Sequence, residues 1–274
     1  MRAKSARVHP ARSAPERREG NPQRGFRIMQ DNPFSEIKAY DSYRELFELF
    51  LIVIAPALVL SVLVMFLLDK ILKLGLDRMQ VSAFIQGTVF MLVCLRVLKG
   101  RGVDFRAVWT DYSAKAGSDA LSALKYFAGY LSIIGAMYGL VMLGVRLSGL
   151  TGGELMRRLG GGANKEIYTG IQAVMSVSRA GFALRLFTMC ALTPLGEELL
   201  FRRVIYVTLR KKLNFLRALF ASSVIFAVSH GTASLLVFPI GLLLGYVYEK
   251  KRRLPVNILL HGLINLFVMA VRLT

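Results

Sequence analysis

Two long runs without a charged side chain constrain the fold of this chain more than any other feature. Residues 49–68 and 126–145 each contain 20 consecutive residues without Asp, Glu, Lys or Arg. A 20-residue α-helix is about 30 Å long, which matches the thickness of the hydrocarbon core of a bilayer. Because a backbone in lipid must satisfy its own hydrogen bonds, the sequence predicts an all-α, polytopic transmembrane helix bundle.

The net charge of the chain is strongly positive. Its 36 Lys and Arg against 17 Asp and Glu give a formal net charge of +19, while 54% of the residues are hydrophobic. A soluble nucleic-acid-binding protein can reach this charge but does not normally combine it with this hydrophobicity. We therefore expect membrane lipids as partners and no nucleic acid.

The first 45 residues are predicted to form a basic, disordered cytoplasmic segment. Residues 1–28 hold eight basic and two acidic side chains, with three prolines and few large apolar residues that could build a core. Two alternatives remain for them: the mature protein starts at Met29, or the segment is a transit peptide. Residues 46–180 are then N-terminal membrane helices, and residues 181–274 carry the polar residues described below.

Seven membrane helices are predicted after this segment. They lie near residues 49–68, 79–97, 124–146, 183–207, 213–230, 233–249 and 254–271. Residues 218–248 are uncharged and too long for one crossing, so we place a break at Gly231 and Thr232. A weaker apolar stretch at residues 167–178 is expected to be interfacial, and it would be an eighth helix if it spans the membrane.

The distribution of Lys and Arg predicts the orientation of the bundle. Basic residues are concentrated in the segments that would share a side with the N-terminus, which favours a cytoplasmic N-terminus. The predicted location is the bacterial cytoplasmic membrane. Glycines in the third helix are at positions that suit close helix packing: Gly129, Gly135, Gly139 and Gly144.

Two adjacent carboxylates interrupt one of the predicted membrane helices. Glu197 and Glu198 lie in an apolar stretch, and Arg202 follows four residues after Glu198. Ionisable side chains are costly in a membrane helix, so their presence there indicates function. The i, i+4 spacing lets Glu198 pair with Arg202, while Glu197 points elsewhere and is free to act as a general base. A purely structural role is the alternative for Glu198.

Two further polar pairs occur on the helices that follow. Phe226 and His230 share one face of a helix, and His261 and Asn265 share one face of the last helix. Counted from the flanking basic residues, Glu197 and the two histidines lie at a similar depth, roughly 12 to 20 Å from the basic face. A carboxylate, two imidazoles and a carboxamide at one level could hold a water, activate it and stabilise an oxyanion. The pattern indicates a hydrolase site.

Three sequence boxes together resemble a known family. Glu-Glu-x-x-x-Arg at 197–202, Phe-x-x-x-His at 226–230 and His-x-x-x-Asn at 261–265 follow in this order on consecutive hydrophobic helices. They resemble the CPBP family of intramembrane proteases, which comprises CAAX proteases and bacteriocin-processing proteins and is also called the Abi family. The resemblance covers about residues 180–270.

The resemblance implies a role for each of these residues. Glu197 and His230 would activate the water, and His261 with Asn265 would form the oxyanion hole. The supporting residues would be Glu198, Arg202 and Phe226.

No cofactor is expected at this site. Two histidines and a glutamate could bind zinc, and the ligands would then be Glu197, His230 and His261. The His-Glu-x-x-His pattern of many zinc proteases does not occur in the sequence, however. A carboxylate base with an asparagine in the oxyanion hole needs no metal ion, so we predict a glutamate-type mechanism and keep a zinc-dependent one as the alternative.

The predicted function is an intramembrane endopeptidase that hydrolyses a peptide bond of a membrane-associated or lipidated protein or peptide. A non-enzymatic membrane scaffold or immunity protein could keep the same residues as a polar core. A proton-coupled transporter could use them as a relay, although we find no internal repeats that would favour it. The sequence leaves the substrate, the cleavage position and the oligomeric state open.

Overall fold

The computed structural model describes residues 34, 36–38, 40, 42–71, 78–149 and 179–271. Within these ranges the chain forms eight helices and no strand, which confirms the all-α prediction. The helices are α1 (Tyr43–Phe66), α2 (Arg78–Gly100), α3 (Phe105–Ala114), α4 (Ala116–Leu147), α5 (residues 179–212), α6 (Phe215–Val228), α7 (Ser234–Lys251) and α8 (Leu254–Val271).

The fifth helix is continuous but not uniform, because α-helical and wider π-helical segments alternate along it. The α-helical segments are Arg179–Phe187, Thr193–Glu197 and Val207–Lys212, and the π-helical segments are Thr188–Leu192 and Glu198–Tyr206. A π-helical turn places its backbone hydrogen bonds one residue further along than an α-turn, is rare, and is frequently found at functional sites. The second of these π-helical segments begins at Glu198.

Seven of the eight helices match the seven that the sequence predicts, and α3 is additional. The predicted break between the sixth and seventh of these helices occurs as a short 3₁₀ turn, Gly231–Ala233. Gly231 has a φ of 59°, a left-handed conformation that glycine adopts without strain. The stretch at residues 167–178 lies outside the described residues, as do residues 1–33.

Several helices have the length and composition of membrane spans. Four of the described helical segments are long and apolar enough to cross a bilayer: Tyr43–Phe66, Gln80–Gly100, Ala116–Leu147 and Leu254–Val271. Large apolar side chains such as Val62 and Leu140 point outward along them, each with 68% of its surface exposed. Outward apolar surface on this scale is typical of helices that face lipid, so the protein is an integral membrane protein.

Helix α5 lies at the centre of the bundle and contacts α2, α6, α7 and α8. Glycines allow the closest of these contacts. A Cβ atom on Gly196 of α5 would lie 2.6 Å from the carbonyl oxygen of Gly87 on α2. A Cβ atom on Gly262 of α8 would collide with the carbonyl oxygen of Cys190 on α5. The backbones of α2 and α8 therefore reach α5 directly.

The glycines that the sequence singled out in α4 do not make such contacts with the described residues. Apart from the neighbouring backbone of α4 itself, no described atom lies within 4 Å of a Cβ placed on Gly129, Gly135, Gly139 or Gly144. Helix α4 meets α8 through larger side chains, including Tyr126, Phe127 and Tyr130.

An ion-pair cluster fixes the start of α8. Arg253 donates two hydrogen bonds to the Asp119 carboxylate on α4, at 2.5 and 2.7 Å, and a third to Asp111 on α3 at 2.7 Å. Hydrogen bonds from Lys115 and Arg253 hold the pKa of the Asp111 carboxyl below its usual value. The turn between α7 and α8 is thereby attached to the N-terminal helices.

The packing of α2 against α5 generates a stability prediction. Substitution Gly196→Ala places a methyl group against the backbone of Gly87, so we expect it to destabilise the protein by about 1 to 3 kcal/mol. The matched control Gly139→Ala faces no described atom and gains helix propensity, so it should be neutral or slightly stabilising. Unfolding by SDS in mixed micelles measures both variants, and equal stability of the two would contradict the packing described here.

Candidate active site

Helix α5 brings the two adjacent glutamates into different surroundings. The Glu198 side chain is fully buried, with 0% exposure, whereas 13% of the Glu197 side chain remains exposed. Glu197 ends an α-helical segment and Glu198 begins the following π-helical segment. Of the two carboxylates, Glu197 is therefore the one that a reactant could reach.

Glu198 and Arg202 form the ion pair that their spacing predicts. Arg202 Nε lies 3.3 Å from Glu198 Oε2, and both side chains are fully buried. The guanidinium also lies 4.8 Å from the ring centre of Phe226, and its Nη2 donates to the Gly241 carbonyl of α7 at 3.5 Å. Arg202 thus connects α5 with α6 and α7 while it neutralises a buried carboxylate.

His230 lies two residues after the end of α6 and is oriented by that helix. Its Nδ1 lies 2.7 Å from the carbonyl oxygen of Phe226, and the two rings are 4.6 Å apart. A carbonyl oxygen only accepts hydrogen bonds, so Nδ1 is the protonated donor. The other ring nitrogen, Nε2, faces Glu197 and lies 3.8 Å from its Oε1.

His261 on α8 lies between the two glutamates. Its Nδ1 is 3.0 Å from Glu198 Oε1, and its Nε2 is 3.7 Å from Glu197 Oε2. The ring is buried and its edge packs against Phe226, with the ring centres 5.9 Å apart. Both histidines therefore use Nδ1 for orientation and present Nε2 to the same carboxylate.

Both imidazoles face Glu197 at distances longer than a hydrogen bond. Neither Nε2 atom is close enough to Glu197 for a direct hydrogen bond, and Glu197 Oε2 has no hydrogen-bond partner among the described residues. A water about 2.8 Å from both Glu197 Oε1 and His230 Nε2 would have an angle of about 85° between its two hydrogen bonds. Such a water could donate to both atoms and direct its lone pair at an electrophile.

Asn265 lies on the same face of α8 as His261 but has a different partner. Its Nδ2 donates to the carbonyl oxygen of Met189 on α5 at 2.8 Å. No hydrogen bond among the described side chains joins Asn265 to Glu197 or to either histidine. Its role in an oxyanion hole therefore stays a prediction, and its observed contact attaches α8 to α5.

Asn257 is a site residue that the sequence reasoning missed. It is fully buried, and its Nδ2 donates to Glu198 Oε2 at 3.1 Å and to the Leu244 carbonyl at 2.7 Å. A signal for it was present, because Asn257, His261 and Asn265 recur every four residues and share one face of α8. The pattern Asn-x-x-x-His-x-x-x-Asn predicts a continuous polar stripe.

Glu197, His230 and His261 would be the ligands if the site bound zinc. The carboxylate and both Nε2 atoms face one another, and each Nδ1 is held by a second group, as is typical of zinc-binding histidines. Within the described residues, however, no group of three His, Cys, Asp or Glu side chains has the arrangement of a metal site.

Comparison with known proteins finds a family match over the helices that carry this site. Residues 179–267 match the family described as Type II CAAX prenyl endopeptidase Rce1-like. This match covers only part of the chain and agrees with the resemblance of its three sequence boxes to the CPBP family. The resemblance that the three sequence boxes predict is thus confirmed over nearly the same residues, and all of the site residues described above lie within this matched segment.

A curated relative shares part of the chain. The protein named "Putative membrane peptidase YdiL" from Bacillus subtilis (strain 168) is 33% identical over 104 residues. The match covers 37% of this chain and 42% of the relative, which is less than half of either protein. No solved structure matches the chain.

The buried ion pair of Glu198 and Arg202 generates a prediction. Substitution Arg202→Met removes the cation beside a fully buried carboxylate, so we expect a loss of about 3 to 5 kcal/mol in the free energy of unfolding. The double variant Glu198→Gln, Arg202→Met removes both charges and should recover a large part of that loss.

The matched control for this prediction is Arg44→Met. Arg44 pairs with Glu48 at an exposed i, i+4 position, where an ion pair contributes at most about 1 kcal/mol. Unfolding in mixed micelles would contradict the assignment if Arg202→Met cost no more than Arg44→Met.

Proposed function

We propose that this protein is an intramembrane endopeptidase that hydrolyses a peptide bond of a membrane-associated or lipidated protein or peptide. The observation that carries the proposal is the Glu197 carboxylate, which two oriented imidazoles face through their Nε2 atoms at 3.8 and 3.7 Å. The CPBP match over residues 179–267 and the name of the relative support a proteolytic role.

Glu197 and His230 act on the nucleophile. A water between Glu197 Oε1 and His230 Nε2 donates a hydrogen bond to each, and Glu197 takes its proton as the oxygen attacks the carbonyl carbon of the scissile bond. The proton then passes to the amide nitrogen as the carbon–nitrogen bond breaks. The products are a new carboxyl terminus and a new amino terminus.

His261 and Asn265 stabilise the oxyanion. To donate from Nε2, His261 must carry protons on both ring nitrogens, because its Nδ1 already donates to Glu198. Carboxylates on both sides of the ring, from Glu197 and Glu198, offset the positive charge that this requires. The Asn265 amide has two N–H groups, of which one donates to the Met189 carbonyl and the second is available to the oxyanion.

The substrate is proposed to reach the site from the membrane. Glu197 and His230 are partly exposed while the charged pair behind them is fully buried, so the reacting groups form the accessible side of the site. The proposed setting is the bacterial cytoplasmic membrane with a cytoplasmic N-terminus. A lipid anchor or a membrane helix would keep the scissile bond close to this site.

The direct test is to compare peptide termini in membranes of cells that carry the wild-type protein or a variant. Glu197→Gln keeps the size of the side chain and removes the base, so we expect cleavage to fall by at least about 100-fold. The same substitution at the exposed Glu48 is the matched control and should leave cleavage unchanged.

A new terminus that requires Glu197, His230 and His261 would identify both the protease and its substrate. If no terminus changed and the Glu197→Gln variant still complemented a deletion phenotype, the protease proposal would fail. A scaffold role would then replace it.

Metal removal provides a separate prediction. The glutamate-type mechanism needs no metal ion, so treatment of the purified protein with 1,10-phenanthroline or EDTA should leave cleavage unchanged. Loss of cleavage with a chelator and its recovery on addition of zinc would instead favour the zinc-dependent mechanism with ligands Glu197, His230 and His261.

A further inference from the structure

We infer that Asn257 is a positioning residue that acts through Glu198 on His261, so that the Nδ1 atom of His261 is fixed as a donor and its Nε2 atom faces the reacting groups. The inference rests on the proposed function and adds a residue to it. It is carried by one connected set of contacts between α7, α8 and α5.

The orientation of the Asn257 amide is fixed by the backbone of α7. Its Nδ2 lies 2.7 Å from the carbonyl oxygen of Leu244, an atom that only accepts hydrogen bonds. A flipped amide would place Oδ1 against that carbonyl oxygen and repel it. The nitrogen end of Asn257 must therefore point toward Leu244 and Glu198.

This orientation determines what Glu198 can do. The second N–H of Asn257 donates to Glu198 Oε2 at 3.1 Å, and Arg202 Nε lies 3.3 Å from the same oxygen. The amide of Asn257 is thus the hydrogen-bond donor to Oε2, and Arg202 is the cation beside it, so the carboxylate is held in one rotational position. Its other oxygen, Oε1, is directed at His261 Nδ1 at 3.0 Å.

The last contact links this set to the reacting groups. Because Oε1 is an acceptor, His261 carries a proton on Nδ1, and the ring is held with Nε2 3.7 Å from Glu197 Oε2. Arg202 supplies the positive charge beside Glu198, whereas Asn257 fixes the orientation of the carboxylate, because one N–H of its amide is bound to the Leu244 carbonyl while the other donates to Glu198. Without Asn257 the Glu198 carboxylate can rotate about its terminal bond and the His261 ring loses its fixed partner.

The test uses the imidazole ring of His261 as a reporter that does not depend on activity. The chain has three histidines, His9, His230 and His261, so ring-¹⁵N histidine labelling of the full-length protein in lipid nanodiscs gives few signals to assign. We expect a protonated Nδ1 on His261 in the wild type. In Asn257→Leu, and more mildly in Asn257→Ser, this signal should shift or split into a mixture of ring states.

A matched control separates positioning from general loss of packing. Thr208 is also fully buried, but its hydroxyl donates to the carbonyl of Val204 on its own helix, so Thr208→Val should leave the His261 signals unchanged. On a cleaved substrate, Asn257→Leu should lower kcat by about 10- to 100-fold with KM within about twofold. Asn257→Ser should retain part of this activity because its hydroxyl can still donate one hydrogen bond.

Two results would overturn the inference. One is an unprotonated Nδ1 on His261 in the wild-type protein, a measurement that does not depend on whether any variant folds. The other is a His261 ring spectrum that stays unchanged in both Asn257 variants. If the wild type cleaves no substrate while the ring spectra change as expected, the proposed function fails but the positioning role of Asn257 stands.

Discussion

The structure of the site depends on how the Glu198 carboxylate is accommodated inside a helix bundle. A fully buried carboxylate is strongly unfavourable unless cations and hydrogen-bond donors surround it. Here Arg202 supplies the cation from α5, and Asn257 and His261 supply the donors from α8. Arg202 and Asn257 also donate to carbonyl groups of α7, so the groups that neutralise Glu198 fix the relative positions of three helices. The same contacts orient His261 toward Glu197.

Close backbone contacts bring these polar groups to one level. Gly196 lies one residue before Glu197 and lets α2 touch α5, while Gly262 lies one residue after His261 and lets α8 touch α5. Larger side chains at either position would separate the helices and lengthen the contacts between Glu197 and the histidines. The glycines beside the site therefore set its dimensions, and the Arg253 cluster fixes the start of the helix that carries His261.

Local spacing predicted a large part of this arrangement. The Glu198–Arg202 pair follows from i, i+4 geometry, and the convergence of His230 and His261 on Glu197 follows from the fixed rise of a helix and from the order of the boxes. The contacts that the sequence did not predict are those that depend on which helices lie next to each other in the bundle. Arg253 meets Asp119 across 134 positions, and Asn265 meets a backbone carbonyl of Met189, which has no side-chain signature. The contacts of Gly87 and Gly196 were missed for the same reason, although the glycines of α4 stood out more clearly in the sequence.

The central claim is that a water, held between Glu197 and His230, is the nucleophile. A high-resolution experimental structure of the protein in lipid, with anomalous diffraction data at the zinc edge, tests it most directly. The account predicts a water about 3 Å from both Glu197 Oε1 and His230 Nε2, with no anomalous peak at that position. A metal peak between Glu197, His230 and His261, or a Glu197 side chain turned away from both Nε2 atoms, would contradict it.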